Sequence, residues 1–179
     1  YYEWQLEDEE GGQVEWQVVP GNHKPNYLGF TFVAKQVPSF GYKVYYLKHI
    51  KPKVAWNEDE NPTMKFIPKS NTSFENKFYS VEFASGGIKK LFDKELQTRI
   101  TPDDSDFLFG ELFSVQSVGF GCGCQEEIQP VALEGFEKLS RYHSTWVCTE
   151  NGSVKTVYEL TQQMKNCIAV QRLTFYAEI

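Results

Sequence analysis

The sequence predicts an all-β fold. Aromatic residues make up 16% of the 179 residues, with 14 Phe and 10 Tyr, and such side chains favour the half-buried surface of a sheet. Several short segments alternate apolar and polar residues, which is the period of a strand with one buried face. Hydrophobic residues make up 41% of the chain, so the strands can enclose a packed core.

Residues 1–50 contain three predicted strands. In residues 14–20, the alternation of Val14, Trp16 and Val18 with Glu15 and Gln17 predicts a half-buried strand. The next two strands, at 28–37 and 41–50, have the same alternation, with apolar faces formed by Leu28, Phe30, Phe32 and Ala34 and by Tyr42, Val44 and Tyr46 opposite Lys43, Tyr45 and Leu47. Pro38 cannot donate to a strand ladder, so we expect a connection at 38–40.

A linker is predicted at residues 58–73. The segment 51–73 contains three prolines, an acidic run and a polar end, which is the composition of a linker or long surface connection. The acidic run lacks the ligand pattern of a calcium-binding EF-hand loop. This boundary divides the chain into a small β-domain, 1–57, and the first part of a larger β-domain, 74–179.

Residues 74–95, FENKFYSVEFASGGIKKLFDKE, predict a hairpin. Two adjacent glycines stand between alternating runs, and both can adopt the positive φ angles of a tight turn. In the strand before the glycines, Tyr79, Val81 and Phe83 are predicted to share one face. In the strand after them, Ile88, Lys90 and Phe92 are predicted to share one face.

The rest of the chain predicts mainly strands. Residues 106–120 have an apolar strand pattern, whereas 131–143 predict a short helix or a loop, because Leu133, Phe136 and Leu139 recur every three residues. Residues 141–179 predict three strands, with turns at 150–153 and 165–166. In the last strand, we expect Ala169 to face away from Ile168 and Val170.

Charge and composition exclude some classes of partner. The net charge is −6 and no run of Lys and Arg is present, so we expect no nucleic-acid binding. No segment is long and apolar enough to span a membrane, and the first residues lack the pattern of a signal peptide. We therefore expect a cytoplasmic location. Secretion or a lysosomal location are the alternatives, since Asn71-Thr72-Ser73 and Asn151-Gly152-Ser153 match the glycosylation pattern.

The residues that commonly carry catalysis are scattered. His23, His49 and His143 are far apart in sequence, and none has a recognisable catalytic motif around it. The four cysteines are Cys122, Cys124, Cys148 and Cys167. One C-x-C pair does not supply the four ligands that structural zinc needs, so we expect free thiols and no cofactor in this chain.

Glu111 is the candidate binding residue. It lies in FLFGELFS, inside an apolar strand pattern, where a carboxylate must be paired or face a cleft. A carbohydrate contact is one interpretation of this position. A solvent-facing strand residue is the other.

The hairpin segment resembles the start of the large carboxy-terminal β-sandwich of family-38 glycoside hydrolases, the α-mannosidases. The residues that carry the resemblance are Glu75, Asn76, Phe78, Val81, Phe83, Gly86, Gly87, Ile88 and Asp93-Lys94-Glu95. Upstream, FVAKQVPSFGYKVYYL resembles the small β-domain that precedes this sandwich, and downstream GSVKTVYEL and NCIAVQRLTFYAEI resemble later strands. The resemblance covers residues 28–179. It departs from the family in the lysines after the glycine pair and in the divergent region after Thr101.

This resemblance implies a fold and a parent enzyme. The chain would be an internal part of a retaining α-mannosidase-like glycosidase, comprising the small β-domain and part of a galactose-mutarotase-like β-sandwich. The family's zinc, its ligands and its nucleophile belong to an amino-terminal barrel outside this chain, so no catalytic residue is assigned here. The implied partners are that barrel and its mannoside substrate, whose cleft the segment around Glu111 would rim.

Two alternatives stay open. A stand-alone carbohydrate-binding sandwich would expose aromatic platforms such as Trp56, Tyr142 or Trp146. A mutarotase-type enzyme would need a histidine base and a glutamate acid across one cleft.

Overall fold

A computed structural model describes residues 3–19, 29–50, 69–117 and 131–178, leaving aside the side chains of residues 3, 117 and 131–133. The described residues form an all-β fold, as the sequence predicts, with fifteen strands and one turn of 3₁₀-helix. The strands are β1 (Glu3–Asp8), β2 (Gln13–Val14), β3 (Trp16–Val18), β4 (Phe30–Phe32), β5 (Tyr45–Ile50), β6 (Lys69–Ser70), β7 (Ser73–Glu75), β8 (Tyr79–Ala84), β9 (Gly87–Asp93), β10 (Thr98–Arg99), β11 (Phe113–Ser117), β12 (Val131–Lys138), β13 (Val147–Asn151), β14 (Lys155–Gln163) and β15 (Ile168–Tyr176).

The strands belong to several small sheets. Their orders are β2-β1-β5, β3-β4, β10-β9-β8-β7, β11-β12 and β15-β14-β13-β6. The long pairing of β1 with β5 is antiparallel, and so is the pairing of β8 with β9. Antiparallel sheets can bury one face and leave the other in water, which agrees with the alternating sequence pattern.

The chain divides into two compact units. Unit 1 comprises residues 1–68, 149–157 and 174–179, and unit 2 comprises residues 69–148 and 158–173. The domains predicted at 1–57 and 74–179 have different limits and stay predictions. Residues 58–68 of the predicted linker lie outside the described residues, while residues 69–70 and 73 already belong to strands β6 and β7.

The first predicted strand departs from its predicted faces at Gln17 and Val18. Val18 is 43% exposed, whereas Gln17 is buried. The prediction that Trp16, Val18 and Val14 form the inner face is therefore wrong at Val18. The physical reason is that Gln17 makes hydrogen bonds inside unit 1 that satisfy its buried amide.

Gln17 binds the hairpin turn between β13 and β14. Its Oε1 accepts hydrogen bonds from the backbone N–H of Val154 at 2.8 Å and of Lys155 at 2.7 Å, and its Nε2 donates to Glu150 Oε1 at 2.5 Å. A Cβ on Gly152 would lie 2.5 Å from Gln17 Oε1. A side chain at this position would therefore displace the amide of Gln17 from the turn.

The core of unit 2 is aromatic. Phe83 packs with its ring centroid 4.8 Å from Tyr158 and 5.4 Å from Trp146, and all three residues are buried. The Trp146 indole Nε1 donates to the backbone oxygens of Ala84 at 3.1 Å and Gly87 at 3.3 Å. Burial and the neighbouring Cys148 thiol raise the pKa of Tyr158 to about 12.

The predicted hairpin is present, but its two strands differ in regularity. In β8, Val81 and Phe83 are buried as expected. In β9, the expected face of Ile88, Lys90 and Phe92 is wrong: Ile88 and Leu91 are buried, and Lys90 is exposed. The register shifts from Glu82 opposite Lys90 to Phe83 opposite Ile88, so one extra residue forms a β-bulge that reverses the alternation.

The two glycines of the hairpin have different roles. Gly86 has a φ of 89°, and a Cβ there would lie 2.6 Å from the backbone of Leu139 and Ser140. A Cβ on Gly87 would lie 2.6 Å from the Cβ of Leu108. The prediction that both glycines serve a positive φ is therefore confirmed only for Gly86, whereas Gly87 provides room for a neighbouring segment.

The helical interpretation of residues 131–143 is wrong. Most of this segment is strand β12, which pairs with β11, and only Leu139–Arg141 forms a single 3₁₀ turn. Leu139 is completely buried. Leu133, Phe136 and Leu139 are three residues apart although they do not share a helix: the first two belong to β12, and Leu139 begins the 3₁₀ turn that follows directly. The three predicted strands at the end of the chain are confirmed as β13, β14 and β15, with Ala169 buried and Ile168 and Val170 exposed.

Replacing Gly86 by alanine will destabilise unit 2. We expect a loss of about 2 to 5 kcal/mol, because the left-handed backbone costs about 1 to 2 kcal/mol and the new Cβ overpacks against Leu139. Urea unfolding measures the change. Gly110→Ala is the matched control, since Gly110 has a φ of 71° but nothing within 4 Å of its Cβ position. Equal losses for the two variants would contradict the steric argument.

Replacing Gln17 by leucine will destabilise unit 1. The variant removes the acceptor for the N–H groups of Val154 and Lys155, and each buried donor left without a partner costs about 1 to 3 kcal/mol. We expect a total loss of about 2 to 4 kcal/mol in urea unfolding. The exposed Gln13, changed to leucine, should alter stability by less than about 0.5 kcal/mol. A Gln17 variant as stable as the wild type would refute the role of this amide.

Candidate functional site

The candidate residue Glu111 lies in a loop of unit 2. The loop comprises residues 106–112, between β10 and β11, and is called the Glu111 loop below. The expectation that Glu111 stands inside a strand is therefore wrong, because β11 begins only at Phe113. The apolar residues around Glu111 made the loop look like a strand in the sequence.

Both carboxylate oxygens of Glu111 accept backbone hydrogen bonds. Oε1 accepts from the N–H of Ser140 at 2.7 Å, and Oε2 accepts from the N–H of Leu108 at 2.9 Å. The backbone N–H of Glu111 also donates to the oxygen of Leu108 at 3.2 Å. The carboxylate thus links its own loop to the 3₁₀ turn that follows β12.

Glu111 is an ionised residue at neutral pH. Burial alone raises the pKa of its carboxyl, but hydrogen bonds from Ser140 and Leu108 and the charge of Lys138 outweigh that effect. The net result is a pKa below the ordinary value of 4.5. A carboxylate held in this way acts as a fixed acceptor for the loop backbone, and a low pKa does not suit a general acid.

Backbone contacts also fix the Glu111 loop from other sides. Phe109 and Ile88 exchange two backbone hydrogen bonds of 3.0 Å, which join the loop to β9. Gln171 Nε2 on β15 donates to the oxygen of Gly110 at 2.5 Å. The loop is therefore tied to two strands as well as to the 3₁₀ turn, and its exposed side chains have defined positions.

Exposed aromatic side chains lie in this loop and at the start of the strand that follows it. Phe107 is 46% exposed and Phe113 is 58% exposed, and their ring centroids are 5.9 Å apart. Both rings pack on Phe136 of β12, with centroid distances of 6.2 and 6.0 Å. These three residues are called the aromatic cluster. Lys138 Nζ lies 5.0 Å from the centroid of Phe107, and Arg141 Cζ lies 5.2 Å from that of Phe136.

Sequence analysis missed the aromatic cluster as a unit. Phe107 and Phe113 lie on either side of Glu111 in sequence, and this spacing was a usable signal. Phe136 comes from a distant strand, and its position beside the other two rings follows only from the pairing of β11 with β12.

The aromatic platforms proposed from the sequence have other roles. Trp146 is 2% exposed and belongs to the core of unit 2. Tyr142 is half-buried, and its hydroxyl donates to Glu137 Oε1 at 2.7 Å, a bond that raises the pKa of the phenol. Trp56 lies outside the described residues.

The two histidines that the structure describes are both exposed and belong to different units. His49 is exposed on β5 of unit 1, with its ring edge-on to Trp4 at 5.3 Å, and His143 is exposed in unit 2. His23 lies outside the described residues. The mutarotase-type alternative stays a prediction.

The remaining metal-ligand candidates are dispersed. Cys148 is buried beside Tyr158, Cys167 is an exposed free thiol, and Cys122 and Cys124 lie outside the described residues. Across residues 3–19, 29–50, 69–117 and 131–178, no group of three or more His, Cys, Asp or Glu side chains is placed to hold a metal ion. In the same residues, no helix has the length and apolar character needed to cross a membrane.

Comparison with known proteins adds no relative: no protein-family model, no curated protein and no solved structure matches the chain. Function must therefore be argued from the residues and their contacts.

Replacing Glu111 by glutamine will destabilise unit 2 in a pH-dependent way. At neutral pH we expect a loss of about 1 to 3 kcal/mol, because an amide cannot present two acceptor oxygens to Ser140 and Leu108. A carboxyl whose pKa is lowered by folding stabilises the fold above its unfolded pKa, and this contribution disappears as the pH falls through the folded pKa. The difference between wild type and variant should therefore shrink below pH 4.5.

Urea unfolding over a pH series measures this effect, and Glu95→Gln is the control, since Glu95 is exposed. A Glu111 variant whose deficit is the same at all pH values would contradict the assigned role of the charge.

Proposed function

We propose that this chain is a non-catalytic β-sandwich portion of an α-mannosidase-like glycoside hydrolase, which supports the catalytic barrel of its parent enzyme. One observation carries the proposal. The residues that resemble the family in the segment 74–95 are used for structure: their polar groups join parts of the hairpin, and Phe83 packs on Trp146 and Tyr158 in the core of unit 2.

The polar residues of this segment bind backbone groups or one another. Asn76 Oδ1 accepts hydrogen bonds from the N–H of Phe78 at 2.9 Å and Tyr79 at 2.7 Å. Lys94 forms an ion pair with Glu75 at 2.5 Å and donates to the backbone oxygen of Asn76 at 2.7 Å. These contacts join the beginning of the hairpin to its end.

The same pattern continues at the second strand. Asp93 Oδ1 accepts from the N–H of Glu95 and of Leu96, each at 2.9 Å, which is the hydrogen bonding of a tight polar turn. The apolar positions Val81, Phe83 and Ile88 are buried. The polar side chains of this motif bind backbone groups or one another. This supports a scaffold role, since a catalytic side chain must be directed at the substrate.

The aromatic cluster supports a role at the rim of a carbohydrate cleft. Phe107 and Phe113 offer exposed rings, and apolar faces of sugars pack on aromatic rings. In this proposal, Glu111 is a positioning residue that holds the loop, and the rings make the sugar contact. The sugar contact would thus involve the segment around Glu111 but not the Glu111 carboxylate itself.

The implied partners follow from the same proposal. The parent's barrel would hold the zinc and the catalytic carboxylate, and the mannoside would bind there. The chain itself would carry no cofactor, bind no nucleic acid, and be located in the cytoplasm, with secretion or a lysosome as alternatives.

A second candidate is a stand-alone carbohydrate-binding module. The observation that favours it is again the exposed aromatic cluster, which needs no second domain to present its rings. Direct binding of mannosides by the 179-residue chain at this cluster, with no barrel encoded upstream in the natural reading frame, would favour the module over the scaffold.

The test of the scaffold function uses activity. We expect the 179-residue chain to hydrolyse no aryl α-mannoside, with or without added zinc, and the natural reading frame to encode a barrel with metal ligands before residue 1. Measurable turnover by the chain alone would refute the proposal, as would a reading frame that lacks such a barrel.

In the parent enzyme, Phe113→Ala should raise KM for a mannoside with little change in stability, because the ring is mostly exposed. Ile168→Ala is the control, because Ile168 is 63% exposed in the same unit but outside the cluster. Unchanged kinetics for Phe113→Ala would exclude the rim contact and leave the scaffold role in place.

A further inference from the structure

Unit 1 contains a cavity with both apolar and polar lining groups, and none of its described lining residues belongs to the Glu111 loop. Its volume is about 340 Å³, which is within the usual range for small-molecule sites. Strands β1, β2 and β5, the connection after β4 and the turn after β13 contribute to its wall. All the lining residues that the structure describes belong to unit 1.

Four of the five charged side chains among the described lining residues form two ion pairs. The ammonium of Lys43 lies 3.6 Å from Asp8 Oδ2, and the two side chains are only 12% and 19% exposed. At the mouth, Lys35 forms an ion pair with Glu178, and both of these side chains are more exposed. Cations and anions thus occur together, which does not favour a strongly charged ligand.

Lys43 has weak contacts for a side chain that is so little exposed. Besides Asp8, its Nζ lies 3.5 Å from the backbone oxygen of Lys35 and 5.9 Å from the centroid of the Tyr45 ring. Short charge-assisted hydrogen bonds from an ammonium measure about 2.7 to 2.9 Å. A ligand oxygen in the cavity can therefore accept a shorter bond from Lys43 than the protein provides.

Asp8 is held in place as the matching acceptor. Its Oδ1 accepts from the N–H of Gly12 at 2.7 Å and of Glu10 at 3.1 Å, and its Oδ2 faces Lys43. Hydrogen bonding from Gly12 lowers the pKa of Asp8 despite the opposing effect of burial. The pair therefore presents a fixed anion and a neighbouring cation to the same space.

Apolar side chains, neutral polar side chains and the carboxylate of Glu15 complete the wall. Val14, Val33 and Val154 are its aliphatic part, and Gln13, Glu15 and Ser153 add further hydrogen-bonding groups. A saccharide ring carries hydroxyl groups on its edge and C–H groups on its faces, so it can use both the donors and acceptors and the apolar groups of this wall. Neither a flat apolar molecule nor a simple anion would use both kinds of surface.

From this arrangement we infer that the cavity of unit 1 binds a neutral saccharide, with Lys43 and Asp8 bonding to its hydroxyl groups and the valines packing on its C–H face. The choice of a mannoside as the probe rests on the proposed function. The site itself is independent of the aromatic cluster of unit 2.

The experiment is an NMR titration of the 179-residue chain with methyl α-D-mannopyranoside. We expect saturable shifts in the amides of cavity residues such as Val14, Val33 and Val154. Lys43→Met should weaken binding at least about tenfold, because it removes a charged donor but keeps an apolar stem. The control is Lys48→Met, since Lys48 lies on β5, pairs with Glu7 and does not line the cavity.

Three outcomes would overturn the inference. Shifts confined to the aromatic cluster would place the sugar in unit 2, and equal effects of the two lysine variants would show that Lys43 has no special role. Saturable shifts of the same amides with sodium acetate but not with the mannoside would make the cavity an anion site. A Glu15→Ala variant, compared with the exposed Glu9→Ala, keeps the test decisive if Lys43→Met does not fold. Failure of this inference leaves the turnover and reading-frame tests of the scaffold function unaffected.

Discussion

Unit 2 depends on one constraint. Other segments of the chain lie so close to the hairpin turn that Gly86 and Gly87 have no room for side chains. The backbone at Leu139 and Ser140 fills the space where a Gly86 side chain would stand, and Leu108 fills the space beside Gly87. Ser85 Oγ accepts from the N–H of Ser144 at 2.8 Å, and the Trp146 indole bonds to the oxygens on both sides of the turn. The Glu111 loop and the 3₁₀ turn therefore have their positions because two residues of the hairpin lack side chains.

A similar principle operates in unit 1 with different chemistry. There the turn after β13 is held by the amide of Gln17, and Gly152 leaves room for it. In both units, polar side chains such as Gln17, Asn76 and Glu111 bind backbone N–H groups. Each of them satisfies buried or half-buried backbone donors that would otherwise cost free energy. This use of polar residues is the physical basis for proposing a scaffold function.

The two candidate sugar sites differ in kind. The aromatic cluster is an open surface with two cations above its rings, whereas the cavity of unit 1 encloses paired charges beside valines. A surface of rings suits the rim of a larger cleft, because a partner must supply the remaining contacts. A cavity with its own donors and acceptors can bind a small ligand without help, so each site has its own test.

The sequence by itself determined the all-β class, most strand positions and the hairpin at 74–95. It also indicated the segment around Glu111 as a candidate binding site. These features depend on the alternation of apolar and polar residues and on turn-forming residues, and both patterns involve residues that are adjacent in sequence. Tertiary structure decided that Gln17 is buried and Val18 exposed, that a bulge reverses the faces of β9, and that Glu111 bonds to the loop backbone. Those outcomes depend on partners distant in sequence, such as the turn at Val154 and the N–H of Ser140, whose positions no local pattern encodes.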